Sequence, residues 1–280
     1  MAESWRDWNS EEIGGWIRTP TATDDKYSRG VVGIVTGSAE YPGAAVLGVE
    51  GAARAGAGMV RYLGDSEAAR LVLQRRPEVV TADGRVQAWL IGSGMDRSKR
   101  AGELAADLGE RIAQALPTVL DAGALDLVDG TKGPVLLTPH AGELVGVLSA
   151  HSVDVDRKAI EGDPERWAGE AARRTGAVVL LKGSTTHVVS PSGRGVRVRG
   201  GSAWLATAGS GDVLAGILGA LLASHSERIL ADSEVLVDIA AAGAALHSLA
   251  GERASGGGPI VALDIAEHLG GAIAGTLRRT

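Results

Sequence analysis

The chain contains no cysteine and no phenylalanine among its 280 residues. The absence of cysteine excludes a disulfide framework, a thiol nucleophile and any Cys-ligated zinc or iron–sulfur site. The six histidines show no H-E-x-x-H spacing, so a zinc site of that type is excluded as well. Any chemistry must therefore use oxygen, nitrogen and main-chain groups, and the core must be built from Ala, Val, Leu and Ile.

An excess of basic charge is also lacking. The chain has 28 Lys and Arg against 34 Asp and Glu, a net charge of −6, so we expect no nucleic-acid partner. The N-terminus carries acidic residues and tryptophans where a signal peptide would be basic and then apolar, which predicts a cytoplasmic protein. The longest apolar stretch, 213–223, falls short of the roughly 18 residues that a spanning helix needs, so we expect no membrane insertion.

Glycine is abundant, with 41 residues, and the hydrophobic content of 45% is enough for a large core. From residue 31 onward, short β-branched runs alternate with helical patterns. Such strands, apolar on both faces, predict an α/β fold with a mostly parallel sheet and helices on both faces. The predicted strands are 31–36, 59–63, 88–92, 118–121, 135–138 and 177–181, with a hairpin at 187–199. The predicted helices are 42–57, 66–74, 100–115, 142–148, 166–174, 212–223, 233–250 and 262–277. We expect a single domain over 1–280, with 1–29 as an N-terminal extension.

A glycine loop at 206–212, with the sequence ATAGSGD, runs directly into a predicted helix. The free N–H groups and positive dipole end of a helix start attract anions, and glycine lets a phosphate approach the backbone. Asp212 would be repelled by such a phosphate unless it has a task, such as accepting a proton from an attacking hydroxyl. The helix start is expected to keep Asp212 ionised. The alternative interpretation is a capped helix start with an acid in its first turn.

Other polar motifs also follow predicted strands. Lys182, Gly183 and three hydroxyl residues follow the strand 177–181, and Lys182 either meets a phosphate or is simply solvated. His140 and Glu143 follow the strand 135–138, where a lone histidine is more often structural. Further glycine loops follow the strands 31–36 and 88–92. Because ligands of parallel α/β sheets bind at the carboxyl ends of the strands, we expect these five loops to face one edge.

Five segments, in this order and at these separations, resemble the NAD(P)H-hydrate dehydratases, ADP- or ATP-dependent members of the ribokinase-like superfamily. They are GSAEYPGA, IGSGMD, TPHAGE, LLKGSTT and ATAGSGDVLAG. The resemblance covers residues 26–275 and implies a ribokinase-like three-layer sandwich. It also implies a hydro-lyase that repairs reduced nicotinamide cofactors hydrated across the C5–C6 bond. The substrates would be (6S)-NADHX and (6S)-NADPHX, returned to NADH and NADPH while ADP gives AMP and phosphate.

Carried over residue by residue, the resemblance places the hydrated dinucleotide near Ala44, Gly94, His140 and Asp212, with Asp212 as the catalytic residue. It implies that the nucleotide lies along Lys182, Gly183, Ser184, Thr185, Thr186, Gly209, Ser210 and Gly211. Asp212 would help the C6 hydroxyl to attack the terminal phosphoryl group, after which phosphate leaves readily. Mg²⁺ is expected because phosphoryl transfer usually needs it, and Glu143 is the candidate ligand, through a water.

Two segments depart from the family pattern. The usual Asp-Ala-Asp appears here as Asp121-Ala122-Gly123, and the usual Asn-Pro-Gly appears as Ser202-Ala203-Trp204. Many relatives carry an N-terminal epimerase domain; we expect none here, and therefore a separate epimerase protein. The family also implies a homo-oligomer, with a tetramer expected.

Two other functions compete with this interpretation. The first is a small-molecule kinase of the same superfamily, acting on a vitamin precursor such as a hydroxyethylthiazole or a hydroxymethylpyrimidine. The glycine loop with its aspartate fits that enzyme equally well. The second is a catalytically silent nucleotide-binding regulator, which Asp212 disfavours because phosphate binding alone gains nothing from a carboxylate there.

Overall fold

The computed structural model describes residues 4–100 and 102–278. The predictions for residues 1–3, 101, 279 and 280, which include one position of the predicted helix 100–115, lie outside this range. The strands are β1 (Ser4–Asp7), β2 (Val31–Val35), β3 (Met59–Tyr62), β4 (Ala88–Ile91), β5 (Thr118–Leu120), β6 (Val135–Leu137), β7 (Val178–Leu181), β8 (Thr186–Val189) and β9 (Arg194–Val198). They form one nine-stranded sheet in the order β1-β9-β8-β7-β6-β5-β4-β2-β3. The sheet is parallel except where β8 pairs with β7 and with β9.

The α-helices are α1 (Pro42–Arg54), α2 (Ser66–Arg75), α3 (Gly102–Ile112), α4 (Ala141–Ala150), α5 (Arg157–Gly162), α6 (Pro164–Thr175), α7 (Ser210–Ser224), α8 (Ser226–Ala231), α9 (Val235–Ser255) and α10 (Ala262–Leu277). Each strand and helix predicted from residue 31 onward is present; the bounds of 262–277 agree with α10, and the other elements have at least one shifted end. The sequence did not predict β1, α5, α8 or the 3-10 turns at Ser10–Trp16, Arg97–Lys99, Ala122–Gly130 and Ala203–Leu205.

An apolar layer packs on each face of the sheet. Alternate side chains of one strand point into opposite layers. In β2, Val32 and Ile34 join the cluster formed with α1, α7, α9 and α10. Val31 and Val35 face the other cluster, which includes residues of α3, α4 and α6. This alternation is the two-residue period of a strand that is buried on both faces. The α/β three-layer sandwich predicted from the sequence is confirmed.

Helices α1 and α7 pack with their backbones in contact. A Cβ on Gly216 would lie 2.1 Å from the Gly48 carbonyl oxygen, and a Cβ on Gly51 would lie 2.4 Å from that of Val213. No side chain fits at either position, so glycine is required for this approach. The close packing fixes the start of α7 against α1.

The first described residues add an edge strand to the sheet. β1 pairs in parallel with β9, and the Trp5 ring occupies the space above Gly195, where a Cβ would lie 2.4 Å from the ring. Asp7 forms ion pairs with Arg197 and Arg199. Ile13 is buried in the core. The segment predicted as an N-terminal extension therefore contributes a strand and core contacts.

Helix α9 is long and apolar enough to cross a membrane by length and composition alone. Of its most apolar window, 78% is buried within the protein. It packs against α7, α10 and β9. These contacts identify α9 as a central core helix.

Candidate active site

The loops that follow four neighbouring strands meet at Asp121. This residue follows β5 and is 3% exposed. Its carboxylate accepts hydrogen bonds from Ser93 Oγ at 2.7 Å, Thr138 Oγ1 at 2.8 Å and Lys182 Nζ at 2.9 Å. The donors follow β4, β6 and β7, so the expected meeting of strand-end loops at one sheet edge is confirmed.

The Asp121–Lys182 pair is charged although it is buried. Burial pushes the pKa of Asp121 upward, but the Lys182 ammonium and the three hydrogen bonds outweigh it and lower that pKa. Burial likewise pulls the pKa of Lys182 down, while Asp121 and then Glu143 outweigh it and raise that pKa. Lys182 is therefore a fixed cation in the site, which corrects the alternative that it is merely solvated.

The glycine loop turns at Gly209, whose φ of 86° is in the left-handed region that favours glycine. Helix α7 then begins at Ser210. The N–H groups of Gly209 and Gly211 meet no hydrogen-bond acceptor within the described part of the chain. A Cβ on Gly211 would lie 3.7 Å from Lys182 Nζ. A helix start, free N–H groups and one ammonium thus converge, as an anion-binding site requires.

Asp212 lies in the first turn of α7. Burial raises its pKa, the Asp121 carboxylate raises it further and Lys182 lowers it, with a result of about 6. The sequence predicted an ionised Asp212 from its place at the helix start, whereas burial acts in the opposite direction and raises the pKa. A carboxyl with a pKa of about 6 is still mostly ionised at pH 7, and it is a stronger base than an ordinary aspartate.

His140 and Glu143 form the N-terminal cap of α4. The His140 side chain accepts a hydrogen bond from the Glu143 N–H at 3.1 Å, and Glu143 Oε2 accepts one from the His140 N–H at 2.8 Å. Glu143 Oε2 also lies 3.6 Å from Lys182 Nζ. The cap holds both side chains beside Lys182, with His140 58% exposed. The prediction that Glu143 binds metal through a water remains a prediction.

Ala44 and Gly94 adjoin each other on the β2 side of the site. A Cβ on Gly94 would lie 2.5 Å from the Ala44 Cβ and 3.1 Å from the Gly37 Cα, which leaves no space for a side chain. A cavity of about 380 Å³ opens beside them. It is lined by residues that include Ser38, Glu40, Met95 and Lys99.

The turn between β7 and β8 borders a second cavity, of about 570 Å³. Gly183, Ser184 and Thr185 line it together with Lys182 and His140, and Thr186 begins β8. The structure therefore brings predicted substrate and nucleotide residues to one cavity. Arg157 and His187, which the sequence analysis did not single out, line it as well.

Ser210 differs from the other predicted nucleotide residues. It is 6% exposed, and its hydroxyl faces His247 Nε2 at 3.2 Å. The side chain therefore points into the core, which leaves only main-chain groups of this residue for a nucleotide.

The two departures from the family pattern have local structural accounts. A Cβ on Gly123 would lie 2.2 Å from the Met95 carbonyl oxygen, so a second aspartate does not fit the backbone here. The Ser202 hydroxyl accepts a hydrogen bond from the Trp204 N–H at 3.2 Å and closes a 3-10 turn. This turn leads directly into the glycine loop.

Ser93 and Thr138 were not predicted from the sequence as partners of Asp121, which was singled out only for its neighbour Gly123. A small hydroxyl at the end of each neighbouring strand was the available signal. Among residues 4–100 and 102–278, no three His, Asp or Glu side chains lie close enough together to hold a metal ion. A Mg²⁺ that arrives with nucleotide phosphates needs only one or two protein carboxylates, and the donor set here fits that mode.

The parallel sheet, the polar strand ends and the glycine loop with Asp212 define an α/β protein of the ribokinase-like class. A Bacillus subtilis ADP/ATP-dependent NAD(P)H-hydrate dehydratase, co-crystallized with ATP/Mg²⁺, has this fold, with a TM-score of 0.83. The two chains are 23% identical, and the match covers 96% of this chain and 98% of that one. The NAD(P)H-hydrate dehydratase family model matches residues 32–267, and the chain belongs to that family.

Two curated relatives agree with the family assignment. The bifunctional NAD(P)H-hydrate repair enzyme Nnr of Mycobacterium tuberculosis is 42% identical over 217 residues, which cover 73% of this chain and 43% of that protein. The ADP-dependent (S)-NAD(P)H-hydrate dehydratase of Xanthomonas campestris is 34% identical over 235 residues, which cover 76% and 78%. The chain thus spans less than half of the bifunctional relative.

Proposed function

We propose that the protein converts (6S)-NADHX and (6S)-NADPHX to NADH and NADPH and consumes ADP, with AMP and phosphate as the other products. The observation that carries this proposal is the position of Asp212, a base with a raised pKa, in the first turn of α7, directly after the glycine loop that faces Lys182. Family membership supplies the substrate class. The match to the Xanthomonas campestris enzyme covers 78% of that protein, which is named as ADP-dependent. This relative favours ADP as the co-substrate.

In the first step, Asp212 accepts the proton of the substrate C6 hydroxyl as its oxygen attacks the terminal phosphorus of ADP. The bond from that phosphorus to the bridging oxygen breaks, and AMP leaves. Lys182 and the Gly211 N–H stabilise the negative charge on the transferred phosphoryl group, because fixed dipoles and charges need no reorganisation.

In the second step, the ring nitrogen donates its electron pair as the C6–O bond breaks, and phosphate leaves in place of hydroxide. Transfer of the C5 proton to water then restores the C5–C6 double bond. Mg²⁺ bound with ADP would be held by phosphate oxygens and by Glu143 through a water, and it would neutralise phosphate charge. The remaining site residues would orient the hydrated dinucleotide. His140 and the Ala44–Gly94 contact shape the wall of its site.

We also propose an enzyme that acts in the cytoplasm, that forms a single domain over the described residues, and that assembles as a homo-oligomer, a tetramer in the manner of the family. We propose that a separate protein epimerises the hydrates. The bifunctional name of the Mycobacterium tuberculosis relative supports a need for a second activity.

The direct test mixes purified protein with chemically prepared NADHX, Mg²⁺ and either ADP or ATP. We expect the absorbance of reduced nicotinamide to return and phosphate to be released in equal amount. Recovery of NADH without nucleotide would overturn the coupled mechanism. A stable phosphorylated thiazole or pyrimidine alcohol, formed without any dehydration, would establish the kinase alternative instead.

A further inference from the structure

A buried histidine, His247 on α9, lies behind the glycine loop. It is 8% exposed, and Ser210, its neighbour, is 6% exposed. Its Nε2 lies 3.0 Å from the Ser210 carbonyl oxygen and 3.2 Å from the Ser210 hydroxyl. One ring nitrogen therefore contacts both oxygen atoms of Ser210, the first residue of α7.

The chemistry of these contacts fixes the proton on the ring. A carbonyl oxygen only accepts hydrogen bonds, so Nε2 carries the proton and donates it to Ser210. Burial lowers the pKa of His247 to about 4, so the ring is neutral near pH 7 and has a single N–H. A protonated nitrogen cannot take a proton from the Ser210 hydroxyl, which excludes a serine nucleophile activated by His247.

The Ser210 carbonyl belongs to the same peptide unit as the Gly211 N–H. The described chain has no cis peptide bond, so the C=O and N–H of this planar unit point in opposite directions. A carbonyl held inward at His247 therefore directs the Gly211 N–H outward. It emerges beside the Lys182 ammonium, since a Cβ on Gly211 would lie 3.7 Å from Lys182 Nζ.

We propose that His247 is a positioning residue, which holds the Ser210–Gly211 peptide so that the Gly211 N–H donates to the phosphoryl group being transferred. This role rests on the proposed function. The first turn of a helix frays readily, and a donor that moves is a poor stabiliser of transition-state charge. The hydrogen bond from α9 removes that freedom at the residue that precedes the donor.

Helix α7 offers a matched control at its other end. His225 Nδ1 lies 3.0 Å from the Leu221 carbonyl oxygen and 3.0 Å from the Ser224 hydroxyl. It thus contacts the same two kinds of group on the same helix. Its end of α7 packs on Gly30, at the start of β2 and away from the strand ends that carry the site.

The experiment compares His247→Leu and His247→Gln with His225→Leu in the full chain, with kcat, KM for ADP and melting temperature measured on each. In His247→Leu we expect kcat to fall about tenfold to a hundredfold, with a smaller change in KM, because the lost alignment acts on transition-state charge. His247→Gln keeps an N–H donor and should recover most of kcat. His225→Leu should lower the melting temperature and keep kcat. A folded His247→Leu with normal kcat, or an equal loss of kcat in His225→Leu, would overturn the role.

A second readout does not require turnover. In amide NMR spectra, ADP should shift the Gly211 N–H resonance of the wild type and shift it much less in His247→Leu. An equal shift in both proteins would overturn the positioning role. If the wild type fails to dehydrate NADHX while the ADP-induced shift still depends on His247, the proposed function fails and the positioning of Gly211 stands.

Discussion

The Lys182 ammonium lies 2.9 Å from the Asp121 carboxylate, and both groups are largely withdrawn from solvent. Asp121 comes from the end of β5 and Lys182 from the end of β7, with β6 between them. The pair therefore bridges three strands of the sheet. An intact buried pair contributes little net stability, because desolvation offsets the attraction, but removal of one partner leaves a buried charge unpaired and is strongly destabilising.

Lys182→Met should destabilise the fold by about 3–5 kcal/mol, because it leaves the Asp121 charge buried and unpaired. Asp121→Asn should cost less than this. The amide oxygen keeps only one of the two hydroxyl donors, which bond to different oxygens of the carboxylate, but Lys182 still has the Glu143 carboxylate at 3.6 Å. The double variant should be more stable than Lys182→Met alone. Chemical denaturation of the three proteins measures these differences. Additive losses in the double variant would show that the two groups do not interact.

Removal of the Lys182 charge should weaken ADP binding more than it slows the step after binding, because a point charge attracts phosphate in ground and transition states alike. Calorimetric titration of Lys182→Ala with ADP measures the first effect, and kcat measures the second. Lys132→Ala, at an exposed lysine beyond the far edge of the sheet, is the control. Unchanged ADP affinity in Lys182→Ala would remove this residue from the nucleotide site.

The activity of the wild type should fall as pH falls through about 6. Asp212 accepts a proton only when it is ionised, and its pKa is raised to about 6 by burial and by Asp121. At pH 5 only about a tenth of the molecules would carry the base in its active form. A profile of kcat/KM between pH 5 and 8 checks this expectation. A flat profile across pH 6 would contradict the assignment of Asp212 as the base.

Asp212→Asn should lower turnover roughly a hundred- to ten-thousand-fold, the usual contribution of a positioned base. It should also make the protein more stable at pH 7.5. The folded-state pKa of Asp212 lies above its ordinary value of 3.8, so ionisation disfavours the folded state. The loss of folding stability that ionisation of Asp212 causes is absent below pH 3.8 and complete above pH 6.

Melting temperatures at two pH values test whether Asp212→Asn stabilises the protein. At pH 7.5, Asp212→Asn should melt higher than the wild type, and near pH 4 the two should nearly coincide. ADP affinity should hold or rise, because a negative charge near the polyphosphate is lost. Near-normal turnover with a lowered melting temperature would mean that Asp212 only stabilises the helix start.

The sequence predicted the elements that depend on local pattern. The apolar run of the buried strand 31–35 and the helical spacing of apolar residues in 262–277 are local signals, and the folded protein keeps the structure that they predict. The edge strand β1 was missed because Ser4–Asp7 has no apolar alternation; its place depends on Trp5 and on the bare backbone of Gly195, far away in the chain. The short helices α5 and α8 are too brief to show a period.

The candidate site divides in the same way. The glycine loop and the residues Lys182–Thr186 are continuous in sequence and could be identified directly. The carboxylate Asp121 could not, because its importance comes from three donors on other strands. Nor could the pKa of Asp212, since local sequence shows that this residue starts a helix but not that it is buried, and burial raises the pKa.

Gly123→Asp, which would restore the family's Asp-Ala-Asp, should destabilise the protein by about 1–3 kcal/mol or more. The new Cβ would lie 2.2 Å from the Met95 carbonyl oxygen, so the backbone must move. Gly109→Asp on α3 is a matched control, because no atom lies within 4 Å of its Cβ position. Thermal melting compares the two. Equal stability of both variants would show that the turn at Gly123 adapts without cost.

The pairing of β1 with β9 has a consequence for the order of events during synthesis. β1 is made before almost all of the domain, yet its partner strand and Gly195 follow only after seven further strands of the sheet have been made. Until the ribosome has released the β8–β9 hairpin, the Trp5 ring lacks the Gly195 backbone that it covers. Long-range pairing of this kind closes late, since the loop entropy is lost before any contact compensates it. The environment of Trp5 should therefore report the last stage of folding, when the earliest residues join the edge of a sheet already formed.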